Sequence, residues 1–140
     1  QETEPPLADD SFDVAFAGEI IEMLDHLDPL FNGIRRVLRP GGRLFAQTYN
    51  LGCLSNRLNL LRNRPIFLSW TKKPDTNLWR RSYLRSELHQ MLVHYGFADI
   101  RIDEVAWWSP KPWRRLMGRA IAAAGCSLGP MFTIQATKPG

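Results

Sequence analysis

Two hydrophobic periods take turns along this chain. The opening stretch QETEPPLADDS is polar, acidic and proline-containing, and reads as a loop. Phe12 to Ala17 is then a mostly apolar run of strand length ending at Gly18, and its lack of alternation predicts a strand buried on both faces, as in a parallel sheet. Asp28-Pro29 predicts a helix start, with Asp28 capping free amides and Pro29 in the first turn. Leu30, Ile34, Val37 and Leu38 follow at helical spacing on one side. Arg39-Pro40-Gly41-Gly42 predicts a sharp turn in which both glycines take positive φ. Arg43 to Thr48 reads as the next strand, with Leu44 and Phe45 toward a core. Strand, helix, strand in this order is a βαβ unit, which crosses over right-handed onto a parallel sheet.

The second half continues the alternation. Leu54, Leu58 and Leu61 align in a helix expected over 51–63, and residues 64–81, with prolines, aromatics and bases, read as a loop or lid. Leu84, Leu88, Met91, Leu92 and Tyr95 mark an amphipathic helix closed by Gly96. Ile100 and Ile102 alternate in a strand running to about Val105. Pro112 begins a last helix with Trp113, Leu116, Met117, Ala120, Ile121 and Ala124 on one face, and Phe132, Ile134 and Ala136 alternate in a final strand. No internal repeat interrupts the pattern, which predicts a single α/β domain over 1–140.

Charge adds an asymmetry that the net value of +4 conceals. Residues 1–28 carry nine acids and no Lys or Arg. Residues 51–86 carry eight bases (Arg57, Arg62, Arg64, Lys72, Lys73, Arg80, Arg81 and Arg85) against one acid, Asp75. Such a stripe suits an anionic partner, or a solvated face paired with the acidic segment. Cys53 and Cys126 fit neither a zinc pattern nor a disulfide framework and read as buried thiols in a reducing compartment, so no metal site is expected. No stretch has the length and apolarity of a membrane span or a signal peptide. The chain opens on Gln1 rather than methionine, which reads as cutting or processing.

The blocks that carry chemistry are local. Pro6-Leu7-Ala8-Asp9-Asp10-Ser11-Phe12-Asp13 leads into the first strand; Glu19 to Pro29 follows it; Arg36-Val37-Leu38-Arg39-Pro40-Gly41-Gly42 leads into the second, which closes with Thr48-Tyr49-Asn50. Together these blocks resemble the class I S-adenosylmethionine-dependent methyltransferases, with their "LPFxDxSFD", "EVxEHLxDP…RVLKPGG" and "TPN" segments. WRRSYLRSELHQMLVHYGF is similar to that family's "HxRxYTxxxLxxLLxxxGF" helix, and MFTIQATKP to its last strand. The resemblance covers nearly the whole chain and implies a partial Rossmann-like sheet, strands 4, 5, 7 and 6 of the family order 3-2-1-4-5-7-6.

That resemblance implies S-adenosylmethionine as cofactor, with Ala17, Gly18 and Glu19 at the mouth where its methionine part passes. Ligands of open α/β sheets sit outside the carboxyl ends of the strands, which is where these residues fall. Asp9 and Asp10 are expected to cap turn amides ahead of the first strand. Glu22, Tyr49, Asn50, Arg81 and Tyr83 are the substrate-side candidates; Glu22, His26 and Tyr49 stand near strand ends as candidate bases, and none is assigned as catalytic. The family's "EHL" histidine falls on Met23 and its "HxR" histidine on Trp79, and its glycine-rich first loop and ribose-binding acid precede Gln1. Only the carboxyl-terminal half of the fold is therefore expected here, with 51–81 as a lid-like segment and 106–130 as a basic, aromatic insertion.

Three functions follow from these readings. The first is a methyltransferase acting on a small molecule, sugar or lipid-like acceptor rather than nucleic acid. The second is a non-catalytic, degenerate module that dimerises or binds a partner along its sheet edge. Strand Phe12–Ala17 should be central in the family, so a homodimer or the missing amino-terminal half is expected to cover it. The third is peripheral membrane contact through the tryptophans and bases of 106–115, in an otherwise cytoplasmic protein.

Overall fold

The computed structural model describes residues 7–66, 81–105 and 129–140. Seven elements follow in chain order: β1 (Phe12–Gly18), α1 (Asp28–Val37), β2 (Leu38–Tyr49), α2 (Leu54–Leu61), α3 (Arg85–His94), β3 (Ala98–Val105) and β4 (Met131–Thr137), with a short 3₁₀ turn at Ile21–Met23. The expected helix from Pro112, most of the 106–130 insertion, lid residues 67–80 and the Trp79 position lie outside the described residues.

The four strands form one sheet in the order β1-β2-β4-β3. β1 runs parallel to β2, while β4 is antiparallel to both β2 and β3. The described residues thus reproduce the 4-5-7-6 portion of the expected order, and the structure adds that the last strand is reversed. Period-two alternation divides the sheet into two faces. On one face Ala17, Leu44, Ala46, Ile102, Phe132, Ile134 and Ala136 form the core with Phe31 of α1 and Leu88 and Leu92 of α3.

Phe31 is fully buried and stacks on Tyr95 with ring centroids 4.8 Å apart, and it meets Phe97 edge-on at 6.4 Å. This aromatic cluster locks α1 to the end of α3. Leu30 and Ile34, expected as the buried stripe of α1, only flank the cluster half-buried. Asp28 does not cap the helix. Leu27 occupies the cap position without a side-chain bond, and Asp28 Oδ1 accepts from the Tyr95 hydroxyl at 3.1 Å.

β1 departs from its reading as a strand buried on both faces. Phe12, Val14 and Phe16 point to the side away from the helices and are exposed, Phe16 at 75%. Among the described residues β1 pairs along one edge only, with β2. Leu44 and Phe45 likewise split between the faces, Leu44 buried and Phe45 half-buried, as consecutive strand residues must.

The Arg39-Pro40-Gly41-Gly42 block is not a turn standing between helix and strand. α1 ends at Val37, β2 begins at once with Leu38, and the block bulges out within β2: Phe12 pairs Leu38, whereas Val14 already pairs Arg43. Gly41 takes φ +78°, which a side chain would strain. Gly42 does not take positive φ. A Cβ there would sit 2.8 Å from the Arg39 carbonyl oxygen and 3.2 Å from that of Phe12, so close backbone approach demands the glycine. The bulge is tied to the chain end, Gly41 N–H donating to the Lys138 carbonyl and Lys138 N–H to that of Gly42.

Asp9 and Asp10, expected as turn caps, act through side chains instead. Asp9 pairs with Arg36, and Asp10 with the Lys138 ammonium at 2.6 Å. Asp13 pairs with Arg39. Among the described residues the acidic opening thus pairs with bases outside the 51–86 stripe.

Candidate functional site

β1 and β2 reach their carboxyl ends side by side, with Ala17 paired to Ala46 and Gly18 to Gln47. β1 stops there, two residues short of the end of β2 at Tyr49, and such a parallel pair leaves its last amides and carbonyls facing one mouth. Glu19 leaves the strand with φ +52°, a left-handed conformation unusual for a residue with a Cβ. Its N–H donates to the Gln47 carbonyl at 3.0 Å, and its carboxylate accepts from the Tyr49 hydroxyl at 3.2 Å. Glu19 is exposed, so its charge meets solvent at the mouth.

Ala17 is buried in the core, and Gly18 is exposed beside it. The space that a Cβ on Gly18 would fill is bounded by the Phe16 ring, 2.7 Å from its Cε1. The exposed ring therefore folds forward over the end of its own strand. Phe16 was not among the sequence candidates; its place two residues before Gly18, on the same strand face, was the available signal.

The substrate-side candidates separate by burial. Glu22, Asn50 and Tyr83 are buried, while Arg81 is exposed and Tyr49 half-buried. The Glu22 carboxylate accepts from Thr48 Oγ1 at 3.0 Å, and its backbone carbonyl accepts from Arg81 N–H at 3.1 Å. Asn50 braces the β2 exit: Nδ2 donates to the Gly129 carbonyl and Oδ1 accepts from Gly52 N–H, both at 2.8 Å. Tyr83 forms a parallel bridge with Asn50, and its hydroxyl donates to the Ile21 carbonyl at 3.3 Å. These bonds bring the strand-end residues 19–22, 48–52 and 81–83 into one cluster. His26, which follows the 3₁₀ turn, is exposed.

Arg81 lies over the Tyr83 ring, 5.0 Å from its centroid, and approaches Glu87 at 3.8 Å. Burial pushes the Tyr83 phenol above its ordinary range; Arg81 works against that rise, and Glu22 and Glu87 add to it. An open hollow of about 400 Å³ lies beside Arg81 and Tyr83, bounded by Leu27, Glu87, Met91 and Tyr95. Among the described residues no group of three or more His, Cys, Asp or Glu is placed to hold a metal ion.

Comparison with known proteins agrees with this geometry. Residues 2–46 match the family described as "Methyltransferase domain", a span ending within β2. The chain is 30% identical over 98 residues to a malonyl-[acyl-carrier protein] O-methyltransferase of Methylococcus capsulatus, an overlap covering 70% of this chain and 32% of that protein. Among solved structures it is similar to a SAM-dependent methyltransferase from Thermotoga maritima, with a TM-score of 0.64 at 18% identity, over 96% of this chain and 59% of that one. It is also similar to a phosphoethanolamine N-methyltransferase of Haemonchus contortus in complex with S-adenosyl-L-methionine, with a TM-score of 0.55 at 15% identity, over 96% and 35% of the two chains. The chain thus spans about a third of the curated relative and less than two thirds of these structures. With the family match on its first parallel strands and the same fold across its sheet, the chain is similar to the class I S-adenosylmethionine-dependent methyltransferases.

Proposed function

We propose that this chain supplies the strand 4 to strand 7 side of an S-adenosylmethionine-dependent methyltransferase, with Ala17, Gly18 and Glu19 at the cofactor. The observation that carries this reading is the carboxyl end of β1 beside β2, where Glu19 is held in a left-handed conformation by the Gln47 carbonyl and Tyr49. An exposed carboxylate, an exposed aromatic ring and an open glycine backbone meet there, a set that fits a ligand carrying a positive sulfonium.

When bound, the cofactor supplies an activated methyl group for a nucleophilic acceptor. The task of the chain's own residues is mostly placement, because proximity and alignment account for much of the rate in such transfers. Glu19 faces the cationic side; Ala17 and Gly18 offer backbone without bulk; Asn50 and Glu22 fix the strand exits that set the mouth's width. Arg81, Tyr83 and Tyr49 stand on the acceptor side. We assign the choice of acceptor to the lid-like segment 51–81 and the insertion 106–130, and favour a small-molecule, sugar or lipid-like acceptor over nucleic acid. Its free, buried Cys53 suits a reducing, cytoplasmic setting, while among the described residues no helix is long and apolar enough to cross a membrane.

Isothermal titration of the chain with S-adenosylmethionine and S-adenosylhomocysteine tests the reading. Saturable heat that falls at least tenfold in affinity for Glu19→Ala is the expected result, a loss of about 1.4 kcal/mol or more. No heat at millimolar ligand sinks it for this chain.

One observation favours a second reading, a non-catalytic module that pairs through its edge. Phe12, Val14 and Phe16 form an exposed apolar row on a strand paired on one side among the described residues. Such an edge recruits another strand or a second copy. Light scattering after size exclusion separates the two: a stable monomer that binds cofactor excludes the second.

A further inference from the structure

The helix α2 is turned inside out relative to an ordinary surface helix. Its inward position is polar: Asn56 is fully buried, with Nδ2 donating to the Leu51 carbonyl at 2.9 Å, next to the buried Cys53. Its leucines point out. Leu54 and Leu58 are about two-fifths exposed, Leu60 is 64% exposed and Leu61 is 84% exposed. Leu54, Leu58 and Leu61 share one face at i, i+4 and i+7. Leaving large leucines in water forfeits their burial, so this face is built for an apolar environment.

The same segment is cationic. Arg57, Arg62 and Arg64 are all exposed, and among the described residues no carboxylate pairs with them. The single acid of residues 51–86, Asp75, stands against eight bases. An apolar protein groove would match the leucines but leave three arginines uncompensated. An anionic lipid surface meets both, since acyl chains take the leucines while guanidinium heads reach the phosphates on flexible stems.

We propose that α2, with Leu54, Leu58 and Leu61 inserted and Arg57, Arg62 and Arg64 at the headgroups, is an interfacial helix that seats this protein on anionic phospholipid membranes. α2 begins at Leu54, five residues beyond the end of β2 at Tyr49. Seating it in the interface brings the strand-end mouth to the membrane surface. The inference concerns binding alone and stands whether or not the mouth holds a cofactor.

Vesicle flotation of the full chain tests it, using phosphatidylcholine vesicles with and without an equimolar share of phosphatidylglycerol. The chain should float with the anionic vesicles, bind the neutral ones far less, and be released as salt rises. The exposed-site variant Leu58→Asp/Leu61→Asp should lower binding about tenfold or more while its circular dichroism stays that of the parent. Arg62→Glu/Arg64→Glu should erase the preference for anionic vesicles. Absence of flotation overturns the proposal, as does equal binding to both vesicle types. Flotation untouched by all four substitutions places the contact elsewhere, and overturns it too. A concentration-dependent dimer that Leu58→Asp/Leu61→Asp dissolves would assign the leucine face to a second copy and refute the membrane role.

Discussion

Glu19 meets two demands at one position, a positive φ and a charge at the mouth. Glycine would remove the left-handed strain of about 1 kcal/mol, but it enlarges the unfolded chain's freedom by a similar amount. Glu19→Gly should therefore leave the thermal midpoint nearly unchanged while weakening cofactor binding, a pairing of outcomes that calorimetry and titration read separately. Thr48 presents the opposite case, because its hydroxyl serves the buried Glu22 carboxylate. Thr48→Val should destabilise by about 1–3 kcal/mol in a denaturant melt. For Tyr83 the sign comes from burial, which raises the phenol above 10.0. The folded state then holds that proton more tightly than the unfolded chain does. Its contribution is intact below about pH 10 and is lost as pH climbs through the folded value. Stability should fall along an alkaline series, less steeply in Tyr83→Phe; Tyr95, also raised by burial and by Asp28, retains part of the slope. The end of β1 at Gly18 was legible at this scale because the apolar run stops there. Phe16 was not, since an apolar residue in an apolar run carries no mark of exposure.

At the scale of elements, the period of the apolar residues located β1, α1, α3, β3 and β4 to within a few positions. What it missed was orientation. Leu30, Ile34, Val37 and Leu38 satisfy helical spacing, yet the core of α1 centres on Phe31, one residue around the helix, where Tyr95 and Phe97 complete a ring cluster. No local pattern encodes a partner some sixty residues away. Phe31→Ala should cost about 3–5 kcal/mol and loosen α1 from α3, seen as faster amide exchange in both helices. The Pro-Gly-Gly block shows a similar limit. Its composition announces a reversal, but whether that is a free turn or a bulge depends on Lys138 at the far end of the chain closing it. α2 shows a third: the spacing aligns three leucines without saying which way they face, and the structure turns them outward around a buried Asn56.

At the scale of the whole molecule, the sheet order β1-β2-β4-β3 followed from the resemblance of nearly the whole chain to one family rather than from any single strand, whereas the reversal of β4 was not anticipated. Periodicity alone would have allowed a fully parallel sheet. The exposed row on β1 has its consequence here as well: Val14→Lys/Phe16→Lys should shift any self-associated chain toward monomer in light scattering, because lysines on an edge strand blunt it. The central claim is that the carboxyl end of β1 beside β2 receives the cofactor, and nitrogen-15 amide spectra during titration with S-adenosylmethionine test it most directly. Saturable shifts concentrated at Ala17, Gly18, Glu19 and Tyr49 are the expected result. Unchanged spectra at millimolar cofactor, or shifts confined to α2 or to the α1–α3 hollow, would contradict it.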